Sequence, residues 1–176
     1  VSQIIVKIAP LDPTFDRGAF RCGNDFIDRY VKKRCLGDHA LHKLRAYVAT
    51  QPDTPTVIGF YTLSLTSLKP GETSPAEAQE KFKSWAIPLV YLGQIGVQEE
   101  YQRKHGIGSA LMTHAFEQTL RIADIAGTYG MMLDADNDEV AAFYEGWGFF
   151  RFGAGEEEQI KMICPLTKIR EALEVA

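Results

Sequence analysis

The sequence predicts an α/β fold, a mixed central sheet of about six or seven strands with helices on both faces. Three observations predict it. β-rich runs fill much of the first 65 residues, strand and helix signals alternate through the second half, and a nearly continuous apolar run at 89–97 reads as a strand buried on both faces. A length of 176 residues fits one domain spanning 1–176, long enough to bury a substantial core.

The elements follow in order. Residues 3–8 carry the β-branched content of an opening strand. Cys22-Gly23-Asn24 supplies an N-cap for a helix with apolar positions Phe26, Ile27, Tyr30 and Val31, and Gly37 is placed to end it. Residues 45–50 and 56–65 are two strands joined by the loop Gln51-Pro52-Asp53-Thr54-Pro55. Within the polar stretch 67–85, Ser74-Pro75-Ala76-Glu77 offers an N-cap serine, a proline at the first helical position and a capping-box glutamate, hence a short exposed helix. The strand at 89–97 precedes a largely buried helix at 108–126, with Leu111, Ala115 and Ile122 on one face and Met112, Phe116, Leu120 and Ala123 on another. A short strand at 131–133, a helix at 138–146 and strands near 149–152 and 159–163 complete the chain.

Composition is that of a globular protein, 45% apolar and 24% charged. No apolar run approaches the roughly 20 residues of a membrane-spanning helix, and Val-Ser-Gln-Ile-Ile-Val-Lys is not a secretory leader, so a cytoplasmic protein is expected. Cys22, Cys35 and Cys164 are read as reduced, mostly buried thiols. A net charge of −4 argues against nonspecific coating of nucleic acid. Even so, Arg29, Lys32, Lys33, Arg34, Lys43 and Arg45 face the single acid Asp38 over 29–45, while Glu156, Glu157, Glu158, Glu171 and Glu174 gather near the end. A basic face on an acidic protein can bind a polyanion, or be a solvated helix face.

The chemistry concentrates in Arg103-Lys104-His105-Gly106-Ile107-Gly108, which opens directly into the long helix. Two glycines let backbone N–H groups approach a ligand, the helix start favours an anion, and three basic side chains flank it. The turn is neither a Walker loop nor a dinucleotide fingerprint, since the Gly-Lys-Ser/Thr and the third glycine are lacking. Ser109 is a helix-start residue, not a nucleophile. His39-x-x-His42 lacks completing ligands, and no metal site is expected. Phe143, Tyr144, Trp147 and Phe149 read on their own as core.

Arg-x-x-Gly-x-Gly at 103–108, Asn137, and Phe143-Tyr144-x-x-x-Gly148-Phe149 together resemble the GNAT superfamily of N-acetyltransferases, with Val140 where the pattern has alanine. The resemblance implies the GNAT fold, whose splayed parallel strand pair, here 89–97 and 131–133, holds acetyl-CoA. It implies cofactor contacts at Ile95, Gly96, Val97, Arg103, Lys104, His105, Gly106, Ile107, Gly108, Ser109 and Asn137, with Tyr144 as the catalytic acid. A neutral amine attacks the thioester directly, and no general base is identifiable; Glu99 and Glu100 are either bases acting through water or solvated loop charges.

Phe20-Arg21-Cys22-Gly23, Asp28-x-Tyr30, Arg45-x-Tyr47-Val48, Gly59-Phe60-Tyr61-Thr62-Leu63-Ser64, Ala86-Ile87-Pro88 and Asp134-Ala135 are similar to the acetyltransferase toxins of type II toxin–antitoxin systems. That likeness implies aminoacyl-tRNA as acceptor, contacted through Lys32, Lys33 and Arg34, and a ribbon-helix-helix antitoxin as partner. Further expectations are a homodimer and no membrane. The alternatives are acetylation of a small amine or protein amine without toxicity, which the acidic charge favours, and a non-catalytic acyl-CoA-binding module.

Overall fold

The computed structural model describes residues 4–69, 75–153 and 158–176, and its strands form a seven-stranded mixed sheet in the order β1-β2-β3-β4-β5-β7-β6. Two units are distinguished, Val1–Ser64 with Gly93–Ala115 and Leu65–Leu92 with Phe116–Ala176.

In the first unit, β1 (Lys7–Pro10) pairs antiparallel with β2 (Arg45–Thr50), Lys7 opposite Thr50, and β2 pairs antiparallel with β3 (Gly59–Leu68), Ala49 opposite Gly59. The opening strand therefore lies later than the 3–8 expected from composition. Its place is set by pairing with β2, and Ile5 is exposed; Gln3 lies outside the described residues. β3 also begins three residues later than expected. Thr56 bridges Asp16, and the Val57 amide donates to the Asp16 carbonyl at 2.9 Å, so these residues are bound to an earlier loop.

Helix α1 (Asp25–Lys33) starts where the sequence places its cap: Asn24 Oδ1 accepts from the amides of Phe26 and Ile27. It does not end at Gly37. Arg34 leaves helical geometry at φ −122°, ψ −32°, and Gly37 falls inside a second short helix, α2 (Cys35–Ala40). Two buried polar groups fasten this pair. Asp28 accepts from the Cys22 amide at 2.8 Å, and His39 Nδ1 accepts from the Ala46 amide at 3.0 Å, so His39 serves the backbone of β2. Phe20, Val31, Cys35, Val48, Val57 and Phe60 form the core here, while Phe26, expected on the apolar face, is 71% exposed.

In the second unit, α3 (Ala76–Phe82) has Pro75 at its N-cap, not at its first helical position; the expected cap Ser74 lies outside the described residues. The long strand β4 (Ile87–Val97) pairs parallel with β5 (Gly130–Ala135) from Leu89 opposite Gly130 to Tyr91 opposite Met132. β4 is buried only as far as Leu92; from Gly93 onward it is exposed or half-exposed, so the expectation of burial on both faces fails for its second half. β5 also pairs antiparallel with β7 (Ile160–Pro165), which pairs with the two-residue β6 (Phe150–Arg151).

Helix α4 (Ile107–Ala126) is buried at Ile107, Leu111, Met112, Ala115, Phe116 and Thr119. Its last turn opens to solvent, with Ile125 exposed, so it is less buried than its apolar residues suggest. Helix α5 (Asp138–Glu145) follows β5 directly, and a terminal helix α6 (Leu166–Val175), not anticipated, anchors through Ile169. Phe143, expected in the core, is 50% exposed, whereas Phe149 and Tyr144 are buried. No described helix is long and apolar enough to cross a membrane.

Candidate active site

In the first unit, the end of β4 carries Ile95, Gly96 and Val97, all half-exposed. Gln102 Nε2 fixes the segment beyond it, donating to the carbonyls of Val97 and Cys22 at 2.8 Å each. The Glu99 amide donates to the Arg21 carbonyl and the Arg21 amide to Gln98 Oε1, both at 2.8 Å. A 3₁₀ turn over Glu99–Tyr101 then leads to the basic residues, with both Glu99 and Glu100 exposed.

Two residues of that turn have left-handed backbone, Arg103 at φ 59° and Gly106 at φ 66°. At Gly106 a side chain would be strained by the backbone, yet nothing lies within 4 Å of where its Cβ would be. The space in front of this glycine is open. The Gly106 carbonyl accepts from the Ala110 amide at 2.9 Å, which starts α4 and leaves the amides of Ile107, Gly108 and Ser109 without intrahelical acceptors. These donors, at the positive end of a 20-residue helix, suit an anion. Arg103 and Lys104 are exposed and His105 is half-buried, its ring 5.9 Å from that of Tyr101. Ile107 is buried, so only its backbone can serve a ligand, and Ser109 is exposed.

In the second unit, Asn137 caps α5, its Oδ1 accepting from the Val140 amide at 2.9 Å. Tyr144 packs edge-on against Phe143 and Phe149. Burial first, and then the charge of Asp136, pushes its phenol up to about 12. It is therefore a protonated donor at neutral pH. On β4, the Tyr91 hydroxyl donates to Asp134 Oδ2 at 2.7 Å.

The basic candidates divide. Lys33 and Arg34 are exposed and Lys32 is half-buried; on α1, Arg29 and Lys33 stand four residues apart on one exposed face. Three residues of the neighbourhood carried no reading of their own in the sequence. Gln102 is an amide in a charged loop, Tyr91 is one aromatic in an apolar run, and Asp134 entered only within the Asp134-Ala135 likeness, with no role given to its side chain.

A family model described as an acetyltransferase (GNAT) domain matches residues 42–150. The chain belongs to the GNAT acetyltransferases. It is an acetyl-CoA-dependent N-acetyltransferase, and the mixed sheet with its parallel β4–β5 pair is the GNAT fold. The chain is 30% identical over 174 residues to a protein of Sinorhizobium fredii named probable toxin TacT, covering 94% of each. It is 28% identical over 134 residues to a tRNA-acetylating toxin of Mycobacterium tuberculosis, covering 76% of this GNAT chain and 78% of that protein. Among solved structures, AtaT complexed with acetyl-methionyl-tRNAfMet superposes with a TM-score of 0.84 at 25% identity, covering 95% and 98% of the two chains.

Proposed function

We propose that this acetyltransferase transfers the acetyl group of acetyl-CoA to the α-amine of aminoacyl-tRNA, in the cytoplasm, as the toxin of a toxin–antitoxin pair with a ribbon-helix-helix antitoxin. The observation that carries the reading is the 30% identity to the probable toxin TacT over 94% of both chains. The tRNA-acetylating relative and the AtaT complex name the acceptor class.

In this reading the pyrophosphate lies on the amides that open α4, with Arg103, Lys104 and His105 beside it and Gly106 allowing close approach. The pantetheine arm bonds the backbone of Ile95–Val97 as an added strand, a ligand mode that uses no side chain. The amine attacks the thioester carbon directly, with positioning supplying much of the acceleration. Tyr144 donates to the sulfur as it departs. The thiolate's intrinsic pKa is about 8.5, and a buried neutral phenol is well suited to stabilise the developing charge by hydrogen bonding.

A second reading, acetylation of a small or protein amine without toxicity, is favoured by the net charge of −4. Induced expression in a bacterial host separates them. Growth arrest with acetylated aminoacyl-tRNA, both abolished by Tyr144→Phe, is the expected result. Normal growth with acetyl-CoA turnover on another amine selects the second reading.

A further inference from the structure

Tyr91 on β4 gives its hydroxyl proton to Asp134 on β5 across 2.7 Å, and the backbone ladder between these strands has its last pair at Tyr91 and Met132. Alternation puts Met132 and Asp134 on one face of β5. The phenol thus reaches forward from the last paired rung to the carboxylate one step beyond it, at the carboxyl end of a parallel strand pair, where open α/β sheets hold their ligands. Both side chains are half-buried.

The proton count of this pair has a chemical consequence. A phenol carries one donor and acceptor lone pairs, and an ionised carboxylate only accepts. With the proton committed to Asp134, the remaining face of the Tyr91 oxygen can only accept. A neutral amine about to attack a thioester needs partners of that kind: its N–H groups must be held by acceptors, while its lone pair stays free for carbon. A donor in the same place would occupy the lone pair and block the reaction.

We propose that the Tyr91 oxygen, kept as an acceptor by Asp134, takes an N–H of the attacking amine and leaves the nitrogen lone pair free for the thioester carbon. Tyr91 then touches the substrate, and Asp134 is a positioning residue acting through it. The N–C bond forms as the C–S bond breaks. Nitrogen releases its proton to solvent, sulfur takes one from Tyr144, and solvent returns a proton to Tyr144. The surroundings agree with this assignment. Burial, then the bond to Asp134, raises the pKa of Tyr91, so the phenol stays protonated and donating; the charge of Asp136 reaches both Tyr91 and Tyr144. Asp136 is itself held by Gln159 at 2.8 Å, and Lys161 stands opposite Asp134 in the β5–β7 register. The inference rests on acetyl transfer to an amine and on the proposed role of Tyr144, and not on which amine is the acceptor.

The test measures kcat/KM for methionyl-tRNA, a lysine peptide and a small polyamine, with acetyl-CoA affinity by calorimetry. On whichever acceptor the wild type turns over, Tyr91→Phe should lower kcat/KM roughly tenfold or more and leave acetyl-CoA affinity unchanged. Asp134→Asn, whose amide oxygen can still accept, should stay within about threefold of wild type. Asp134→Ala frees the phenol proton to cap the amine, and should lose more than Tyr91→Phe; adding Tyr91→Phe to Asp134→Ala should restore activity to the Tyr91→Phe level. Contacting pairs are commonly non-additive, so a purely structural pair is told apart by the loss of stability or acetyl-CoA affinity that it would add, neither of which is expected here. Wild-type kcat/KM in Tyr91→Phe, additive losses in the double variant, or equal losses in Asp134→Asn and Asp134→Ala would overturn the proposal. If Tyr91→Phe does not fold, the Asp134 pair still decides. Turnover of a different amine with methionyl-tRNA untouched would overturn the acceptor reading alone.

Discussion

Gln102 donates to the carbonyl of Val97 at 2.8 Å and, with the same nitrogen, to that of Cys22, so one side-chain amide joins the end of β4, the turn before α4 and the segment before α1. Both carbonyls lose this partner in Gln102→Ala. We expect a stability loss of about 1–3 kcal/mol and roughly tenfold weaker acetyl-CoA binding, because a loosened turn must be reordered when the ligand binds. Chemical denaturation and calorimetry on the same variant check both. Unchanged affinity in a destabilised variant would confine Gln102 to folding.

The two glycines of the turn should behave differently. Gly106 has φ 66° and open space in front of it, whereas a Cβ on Gly108 would meet only Val97 Cγ2 at 4.0 Å. Gly106→Val introduces backbone strain and fills the space a phosphate would use, and should weaken acetyl-CoA binding roughly tenfold or more. Gly108→Ala should fold normally, because it adds a methyl group at an ordinary van der Waals separation. Equal affinities for wild type and Gly106→Val would remove the pyrophosphate from this turn.

The contrast between these glycines marks what could be read in the sequence. Local signals survived into the structure: Asn24 and Asn137 both cap their helices, and the alternation of strand and helix gave the mixed sheet. What escaped depended on partners distant in sequence. The first strand was displaced because its register is decided by the distant β2, whose Thr50 pairs with Lys7. Gly37, a good helix stop in isolation, sits within α2 because Arg34 had already broken the chain's path. The apolar run of β4 looks uniform, and nothing in it says that its parallel ladder ends at Tyr91. At the candidate site, motif residues were legible, but Gln102 and the Tyr91–Asp134 bond were not, since each is a pairing between chain segments.

His39 gives a pH signature of stability. Its Nδ1 must be unprotonated to accept from the Ala46 amide, and burial, followed by the charges of Arg45 and His42, holds its pKa below the ordinary value. The unfolded chain then binds the extra proton first. This contribution is fully present above about pH 6.5, the unfolded value, and is lost as pH falls from there toward the lower folded value. Thermal midpoints between pH 5 and 8 should fall more steeply on the acid side for wild type than for His39→Asn, whose side chain can accept without titrating. Parallel curves would show that His39 is not the titrating group.

Tyr144→Phe should keep acetyl-CoA affinity and fold, since the ring stays packed against Phe143 and Phe149. Turnover should drop by roughly 10²–10⁴, the usual loss for a general acid. Because burial and Asp136 hold the phenol up to about 12, no loss of activity from its ionisation should appear between pH 6 and 9. A variant with wild-type turnover would reduce the tyrosine to packing.

The last prediction concerns the exposed face of α1. Arg29 and Lys33 share it, while Lys32 is half-buried and Arg34 lies at the break between α1 and α2. If the acceptor is carried on tRNA, phosphates should meet this face, and removing one phosphate-binding cation should reduce the slope of log KM against log salt by roughly 0.7–0.9. Arg29→Ala with Lys33→Ala should therefore raise KM for aminoacyl-tRNA most at low salt and flatten its salt slope by roughly 1.5. Lys32→Ala should do much less, because Lys32 is half-buried. Acetyl-CoA affinity should be the same in both variants, since the turn at 103–108 keeps its own charges. A double variant that follows wild type across the salt series would make the face an ordinary solvated one. The small-amine reading would then gain, because the acidic charge of the chain would have no basic surface set against it.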